Sequence, residues 1–427
     1  MTRKWTFMVY MAGDNGKVFS GPSGKERILA PMESAGRDDL AEMAKVGSND
    51  DLAIVVQFET LSDTDFTQRL HITEKAKVVE QIPETNCGDP QSLADFVTWA
   101  IGGYPAERYA LVLWNHGGGW KEEDIYDKYR GVRGGLGRRL SGSLFRTTAV
   151  ELMSIEDEKT RWICADDSSM DFLDNRDLSK ALETAQGETG QRLSLIGMDA
   201  CLMAMLEVAY QVRHFADCLV GSQEVEPMAG WPYDTILGAL IKDPEMTAHQ
   251  FGQVIVQEYG RYHKGRTRGG GGRMTQSAID LAQVEDTYEL VDQLSSTLVE
   301  GHSEIYVRDI LLRRVLKRVE RFRDKDYIDL RHFASLLAGG YRGKNETVRE
   351  WVNQLCDHLK VDQKQGPILV NAHGLRHKEA HGLSIYFPLW GCSSYYTPGH
   401  LEFADNQWRQ LIHTANEISS TAKETPL

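Results

Sequence analysis

The sequence has no CxxC pair. Its six cysteines (Cys87, Cys164, Cys201, Cys218, Cys356, Cys392) are scattered, which argues against a zinc ribbon or a disulfide framework. No apolar run approaches the roughly 18 residues that a membrane-spanning helix needs. Positive charge is in deficit: 48 Lys and Arg against 62 Asp and Glu leave a net charge of −14 at pH 7. That balance disfavours a general binder of nucleic acid or of anionic membranes, so neither is expected as a partner. There is no GxSxG elbow of a serine hydrolase and no GxxxxGK[ST] phosphate loop. Arg3 and Lys4 precede an apolar stretch from Trp5 to Met11, but Gly13, Asp14 and Asn15 stop it short of a signal-peptide core. The expected location is cytoplasmic, where the sequon Asn345-Glu346-Thr347 carries no sugar.

What is present is the composition of a globular protein. Of 427 residues, 41% are apolar and 26% charged, enough chain for two or three structural units. The first half alternates short apolar runs with helical periodicity, the pattern of a parallel sheet covered by helices. Strands are predicted at Trp5 to Met11, Leu52 to Phe58, Tyr109 to Trp114, Leu193 to Met198 and Cys218 to Ser222, with helices at Ser92 to Ile101, Leu178 to Ala185 and Met203 to Val212. Runs such as Ala110-Leu111-Val112-Leu113-Trp114 read as strands buried on both faces. The second half is mainly helical, at Ala248 to Tyr262, Glu285 to Leu298, Ile305 to Phe322, Leu330 to Ala338 and Val348 to Leu359. Strands at Ile368 to Asn371 and Leu383 to Phe387 and a helix near Phe403 to Ala415 follow. The expected organisation is an α/β core over 1–240, a mainly helical subdomain over 241–365, and strands and a helix over 366–427 that pack back on the core.

Two segments read as loops. Residues 128–146 hold Lys128, Arg130, Arg133, Arg138, Arg139 and Arg146, five glycines and no acid, so the stretch buries little and is open to proteases. Lys264 to Arg273 contains four consecutive glycines, which defeat helix and strand alike. It is read as a surface loop, with an anion site as the alternative.

In open parallel sheets, functional groups collect where the carboxyl ends of strands turn into loops. Tyr109 to Trp114 runs into Asn115-His116-Gly117-Gly118-Gly119, and Leu193 to Met198 runs into Asp199-Ala200-Cys201. A histidine and a cysteine therefore meet at one sheet edge, the layout of a Cys-His nucleophile pair. The imidazole titrates near neutral pH, and the helix predicted from Met203 would favour a thiolate through its N-terminal dipole. Glycines after His116 leave backbone amides open, so the N–H groups of Gly117 and Cys201 are candidate oxyanion donors. The competing reading is a buried structural cysteine and a turn histidine.

The set Trp5-Thr-Phe-Met-Val-Tyr-Met-Ala-Gly-Asp-Asn15, Leu113-Trp-Asn-His-Gly117, Asp199-Ala-Cys-Leu-Met203, Ser222-Gln-Glu-Val-Glu-Pro227, Gly230-Trp-Pro-Tyr233 and Gly382-Leu-Ser-Ile-Tyr-Phe-Pro388 resembles the clostripain family of cysteine peptidases, block by block and in order. The resemblance implies a caspase-like three-layer sandwich with a mostly parallel central sheet. It also implies a dyad of His116 and Cys201, and cleavage after basic residues read by Asp199. Arg is expected over Lys, because guanidinium pairs bidentately with a carboxylate. The alternative for Asp199 is a helix N-cap. Trp231, Glu224 and Glu226 fall where the family builds its specificity pocket, against a packed indole and a solvated acidic loop. Asp14 and Asn15 are expected to support the turn after the first strand.

Family members resemble zymogens cut between the dyad residues. Candidate processing sites are Lys128, Arg130, Arg133, Arg138, Arg139, Arg146, Lys159 and Arg161, cut by the enzyme itself or by an upstream protease. Expected partners are protein substrates with exposed Arg or Lys. His373, His377 and His381 are spaced by four, but Gly374 and the misplaced glutamate of His377-Lys-Glu-Ala-His381 argue against a zinc helix. No cofactor is expected to be required. Calcium stays open, although no EF-hand loop occurs. A catalytically silent scaffold is the competing function, opposed by the presence of His116, Asp199 and Cys201 together.

Overall fold

The computed structural model describes residues 2–14, 17–20, 26–29, 31–74, 76–120, 163–166, 171–264, 272–300, 311, 314–340, 346–361 and 365–424. The candidate processing residues from Lys128 to Arg161 lie outside them, as do 265–271 of the glycine run. In chain order the first elements are β1 (Arg3–Gly13), β2 (Lys17–Ser20), β3 (Glu26–Leu29), α1 (Pro31–Val46), β4 (Leu52–Thr60), β5 (Asp63–Ile72), β6 (Ala76–Pro83), α2 (Pro90–Gly103) and β7 (Ala106–Trp114). Next come β8 (Ile163–Asp166), β9 (Asp171–Leu173), α3 (Asn175–Thr189), β10 (Leu195–Asp199), α4 (Leu206–Val212), β11 (Cys218–Gly221), α5 (Tyr233–Lys242), α6 (Ala248–His263), β12 (Thr275–Asp280) and α7 (Val284–Glu300). The chain closes with β13 (Tyr327–Asp329), α8 (Leu330–Gly340), α9 (Glu346–His358), β14 (Ile368–His373), β15 (Ser384–Tyr386) and α10 (Gln407–Glu424).

Nine strands form one sheet in the order β14-β12-β11-β10-β7-β1-β4-β5-β6. The five central strands run parallel, and an antiparallel pair closes each edge. The period of two along the central strands splits their side chains between two cores. From β1, Met8, Tyr10 and Ala12 enter the core under α2, α3, α4 and α7. Trp5, Phe7, Val9 and Met11 enter the opposite one, against α1, α5 and α6. Helices on both faces of a mostly parallel sheet make the caspase-like three-layer sandwich. Trp5 and Phe7 pack on Phe251 with ring centroids 5.2 and 6.1 Å apart, tying α6 to the first strand.

Two expectations change. Of the predicted helix Ile305 to Phe322, residues 311, 314 and 315 are helical in the wider π form, whereas 316–319 turn and Arg321 bridges to Ile328. The main sheet also draws β12 from the segment 241–365, expected to be mainly helical, while β14 packs back on the core from 366–427. Among the described residues no helix is long and apolar enough to cross a membrane.

Candidate active site

Parallel pairing sets Asp199 at the end of β10 opposite Trp114 at the end of β7. Cys201 and His116 each lie two residues beyond that pair, so the sheet itself delivers both to one edge. Asn115 locks the turn: its side chain donates to the Ala12 carbonyl and its N–H to the Asp199 carbonyl at 3.4 Å. His116, Ala200 and Cys201 line one cleft with Asp39, Asp199, Glu226 and Gly230. Met228, 63% exposed, stands at its mouth.

Gly117 packs directly on the backbone of Cys201. A Cβ there would meet the Cys201 carbonyl oxygen and would lie 2.9 Å from the Cys201 nitrogen. The Gly117 N–H is engaged by no hydrogen bond among the described residues, so it is available to an oxyanion. Gly117→Ala is expected to lower kcat/KM by about 10²-fold or more and to destabilise the fold by roughly 1–3 kcal/mol. Peptide hydrolysis and thermal melts check the two effects separately.

The residue after Cys201 carries backbone strain. Leu202 has φ 65°, the one positive φ outside glycine among the described residues, a conformation that costs a branched residue on the order of 1–3 kcal/mol. Full burial of its side chain and a 3.2 Å bond from its N–H to the Glu224 carbonyl hold it there. The tight turn swings Cys201 out of the strand axis. The helix after it starts at Leu206 with Met205 as N-cap, not at Met203, so no helix terminus follows Cys201 directly. The Glu226 N–H, 3.3 Å from Sγ, points at the sulfur instead and favours a thiolate. Surrounding protein strips water from His116 and lowers its pKa to about 4, so at neutral pH the free site holds an uncharged imidazole, a weaker base than one in water.

Asp199 is buried and does not cap a helix. Its Oδ2 accepts from the Tyr233 hydroxyl at 2.8 Å and the Trp231 N–H at 3.3 Å. Gly230 passes so close that a Cβ would lie 3.2 Å from this carboxylate, and the Gly230 carbonyl is held by His263 Nε2 at 3.0 Å. Glu226 lies beside Asp199, and Asp39 reaches in from α1, its Oδ2 accepting the Trp114 indole N–H at 2.7 Å. Burial raises the pKa of Asp199, Glu226 and Asp39; repulsion from Asp199 raises the other two further, Asp39 to about 9. Among the described residues no Lys, Arg or His ion-pairs with any of the three. Three buried carboxyls that no described cation pairs are costly to ionise together, and a cation brought among them would offset that cost.

The apo cleft must therefore weaken the fold as pH rises. A carboxyl whose folded pKa lies above its unfolded value contributes fully below the unfolded pKa, and that contribution fades as pH climbs toward the folded one. For Asp39 the window runs from its ordinary value of 3.8 up to about 9. Asp39→Asn is expected to match the wild type in stability near pH 4 and to exceed it at pH 8 by at least about 1 kcal/mol, read from denaturant melts at the two pH values.

Of the other residues singled out from sequence, Glu226 joins the cleft and Glu224 does not. The Glu224 carboxylate turns to His377 Nε2 at 3.2 Å. The Trp231 indole is fully buried beneath Gly197, so Trp231 serves the site through its backbone N–H. His373 ends β14, His377 sits between Glu224 and Glu320, and His381 Nδ1 lies 3.3 Å from Arg331; they do not converge. Asp14, at the end of β1, offers a carboxylate oxygen within 4.8 Å of those of Glu59 and Glu84, a hard-oxygen donor set that fits a cation such as calcium. Asp39 and Tyr233 escaped the sequence reading.

A model of the clostripain family matches residues 30–133 and 152–394. The chain belongs to the clostripain family. Clostripain of Hathewaya histolytica is 33% identical over 159 residues, a stretch covering 36% of this chain but only 24% of that relative. A secreted C11 cysteine protease from Bacteroides thetaiotaomicron, solved in complex with an irreversible peptide inhibitor, matches with TM-score 0.62 at 18% identity, covering 95% of this chain and 99% of that one. An inactive zymogen C11 protease from Parabacteroides distasonis matches with TM-score 0.61 at 19% identity, covering 96% and 99%. At these identities the two structures share the fold of this clostripain-family chain.

Proposed function

We propose that this chain is a cysteine endopeptidase that cleaves after Arg, and less readily after Lys, with Cys201 as nucleophile and His116 as its proton carrier. The observation that carries this reading is the group of buried carboxyls Asp199, Glu226 and Asp39 in the same cleft as Cys201, with which no cation among the described residues pairs. A substrate guanidinium supplies the missing charge and pairs bidentately with Asp199. The uncharged His116 takes the Cys201 proton, and the thiolate attacks the scissile carbonyl carbon. The amides of Gly117 and Cys201 bind the oxyanion. His116 then gives its proton to the departing amine, leaving a thioacyl enzyme, and next activates the water that releases the acid.

The chain is made as a zymogen, activated by a cut among Lys128, Arg130, Arg133, Arg138, Arg139, Arg146, Lys159 and Arg161, by itself or by another protease. Calcium, where it binds, would be held by Asp14, Glu59 and Glu84, whose charge it would neutralise beside the carboxyl end of β1; it takes no part in the proton transfers. The test is hydrolysis of fluorogenic peptides with Arg, Lys or Asp at P1, before and after trace treatment with an Arg-specific protease, with intact mass recorded in parallel. Arg-selective turnover that accompanies the cut supports the reading. Silence of the cut protein toward every peptide would favour a scaffold.

A further inference from the structure

We propose that the basic cavity on the other side of residues 224–226 from Cys201 is a binding site for a small polyphosphorylated anion. The cavity has a volume of about 480 Å³, the size of sites that enclose small ligands. Arg273, Arg321, Arg323, Lys325 and Arg376 line it. They come from three places in the chain: the approach to β12, the turns before β13 and the loop after β14. A chain with a net charge of −14 thus gathers five cations around one hollow.

Those charges are not already spent on each other's neighbours. Among the described residues none of the five ion-pairs with a carboxylate. Arg321 donates to the carbonyls of Leu316 and Lys325, and Lys325 to that of Phe322. Asp324 and Asp326 act on Arg321 only at a distance. Carbonyl bonds fix the direction of a guanidinium without cancelling its charge, leaving it ready for an anion. The one carboxylate that lines the cavity among the described residues, Glu224, is bound to His377, which Glu320 also holds at 3.0 Å. Burial opposes charge on His377, but these two partners outweigh it and raise its pKa to about 9. The charge of Glu224 is thus partly offset by His377, and the five basic side chains outweigh what remains.

Guanidinium forks on several sides suit phosphate groups, each of which accepts two N–H bonds at once. A hollow of this volume, with its cations gathered from three places around it, suits a compact molecule over an extended acidic peptide. The cavity also touches the active site through one short segment. Glu224 lines it with its side chain while its carbonyl accepts the Leu202 N–H at 3.2 Å, and two residues on the Glu226 N–H reaches Cys201 Sγ.

The test uses the full chain in metal-free buffer and inorganic triphosphate as probe, followed by titration calorimetry, so its readout does not depend on peptidase activity. Binding is expected at one site per chain, at least about 10-fold tighter than inorganic phosphate and weakening steeply with added salt. The exposed pair Arg323→Glu and Arg376→Glu, changed together, is expected to weaken binding at least about 10-fold with an unaltered thermal melt. If that pair unfolds, Arg323→Gln alone, expected to weaken binding measurably, takes its place. Absence of saturable triphosphate binding, binding undiminished in the variant that folds, or tighter binding of a hexaglutamate peptide would each overturn the proposal.

Discussion

Replacing Cys201 by alanine is expected to lower kcat/KM on an Arg-P1 peptide by at least about 10³-fold, with the thermal melt nearly unmoved. The thiol is half-exposed at the end of the β10 turn, and its near neighbours, the Glu226 N–H and the backbone at Gly117, belong to the protein's frame and not to the side chain. Removing the sulfur therefore removes the nucleophile while leaving the fold intact. His116→Ala is expected to fall by a similar factor, because in the proposed reaction the imidazole takes the Cys201 proton. The double variant is expected to be scarcely worse than either single one, since the two groups act as a unit. Initial rates on the processed wild type and the three variants check this.

Asp199→Asn carries the second large effect. Asparagine keeps the shape that Tyr233 and Trp231 grip but removes the charge facing the substrate cation. Losing one member of a buried charge pair costs roughly 2–5 kcal/mol, so kcat/KM for Arg-P1 is expected to fall by about 10²–10³-fold. Peptides with an uncharged P1 residue are expected to lose far less, because they never paired with Asp199. In the absence of substrate the same variant is expected to melt higher at pH 8, since burial raises the Asp199 pKa and the wild-type carboxylate is costly to ionise there. A parallel loss on every peptide, with no gain in stability, would place Asp199 in support of Cys201 and not in recognition.

The legible parts of the fold are those whose burial is written in consecutive apolar residues. The cores of β1, β4, β7 and β10 read directly because both of their faces are covered. β6 was invisible for the opposite reason: it is exposed along nearly its whole length and carries Lys, Glu and Gln. β12 opens with Thr275, Gln276 and Ser277, polar yet fully buried, so composition hides what tertiary pairing to β11 and β14 enforces. The helix predicted to run to Phe322 reads too far: it is π-helical at 314 and 315, and beyond them apolar residues at helical spacing serve turns packed on the core.

The meeting of His116 and Cys201 in one cleft was legible because parallel strands deliver their carboxyl ends to one edge whatever lies between them. Asp39 was not, because α1 approaches Asp199 across 160 residues of sequence. A signal existed. Met32, Ala35, Asp39 and Met43 follow the spacing of one helical stripe, which places a lone acid among residues that face the core. Tyr233 sat within a recognised block, yet its role depends on how the segment from Gly230 wraps the Asp199 carboxylate, and that is decided by packing.

The most direct measurement of the central claim is covalent labelling of the processed protein with a peptide that ends in arginine and carries a thiol-reactive ketone, followed by peptide mass mapping. One adduct per chain on Cys201, suppressed by free Arg-P1 substrate and abolished in Asp199→Asn, is the predicted result. Labelling spread over Cys356 and Cys392, or labelling of Cys201 indifferent to the P1 residue, would contradict the assignment of nucleophile and pocket.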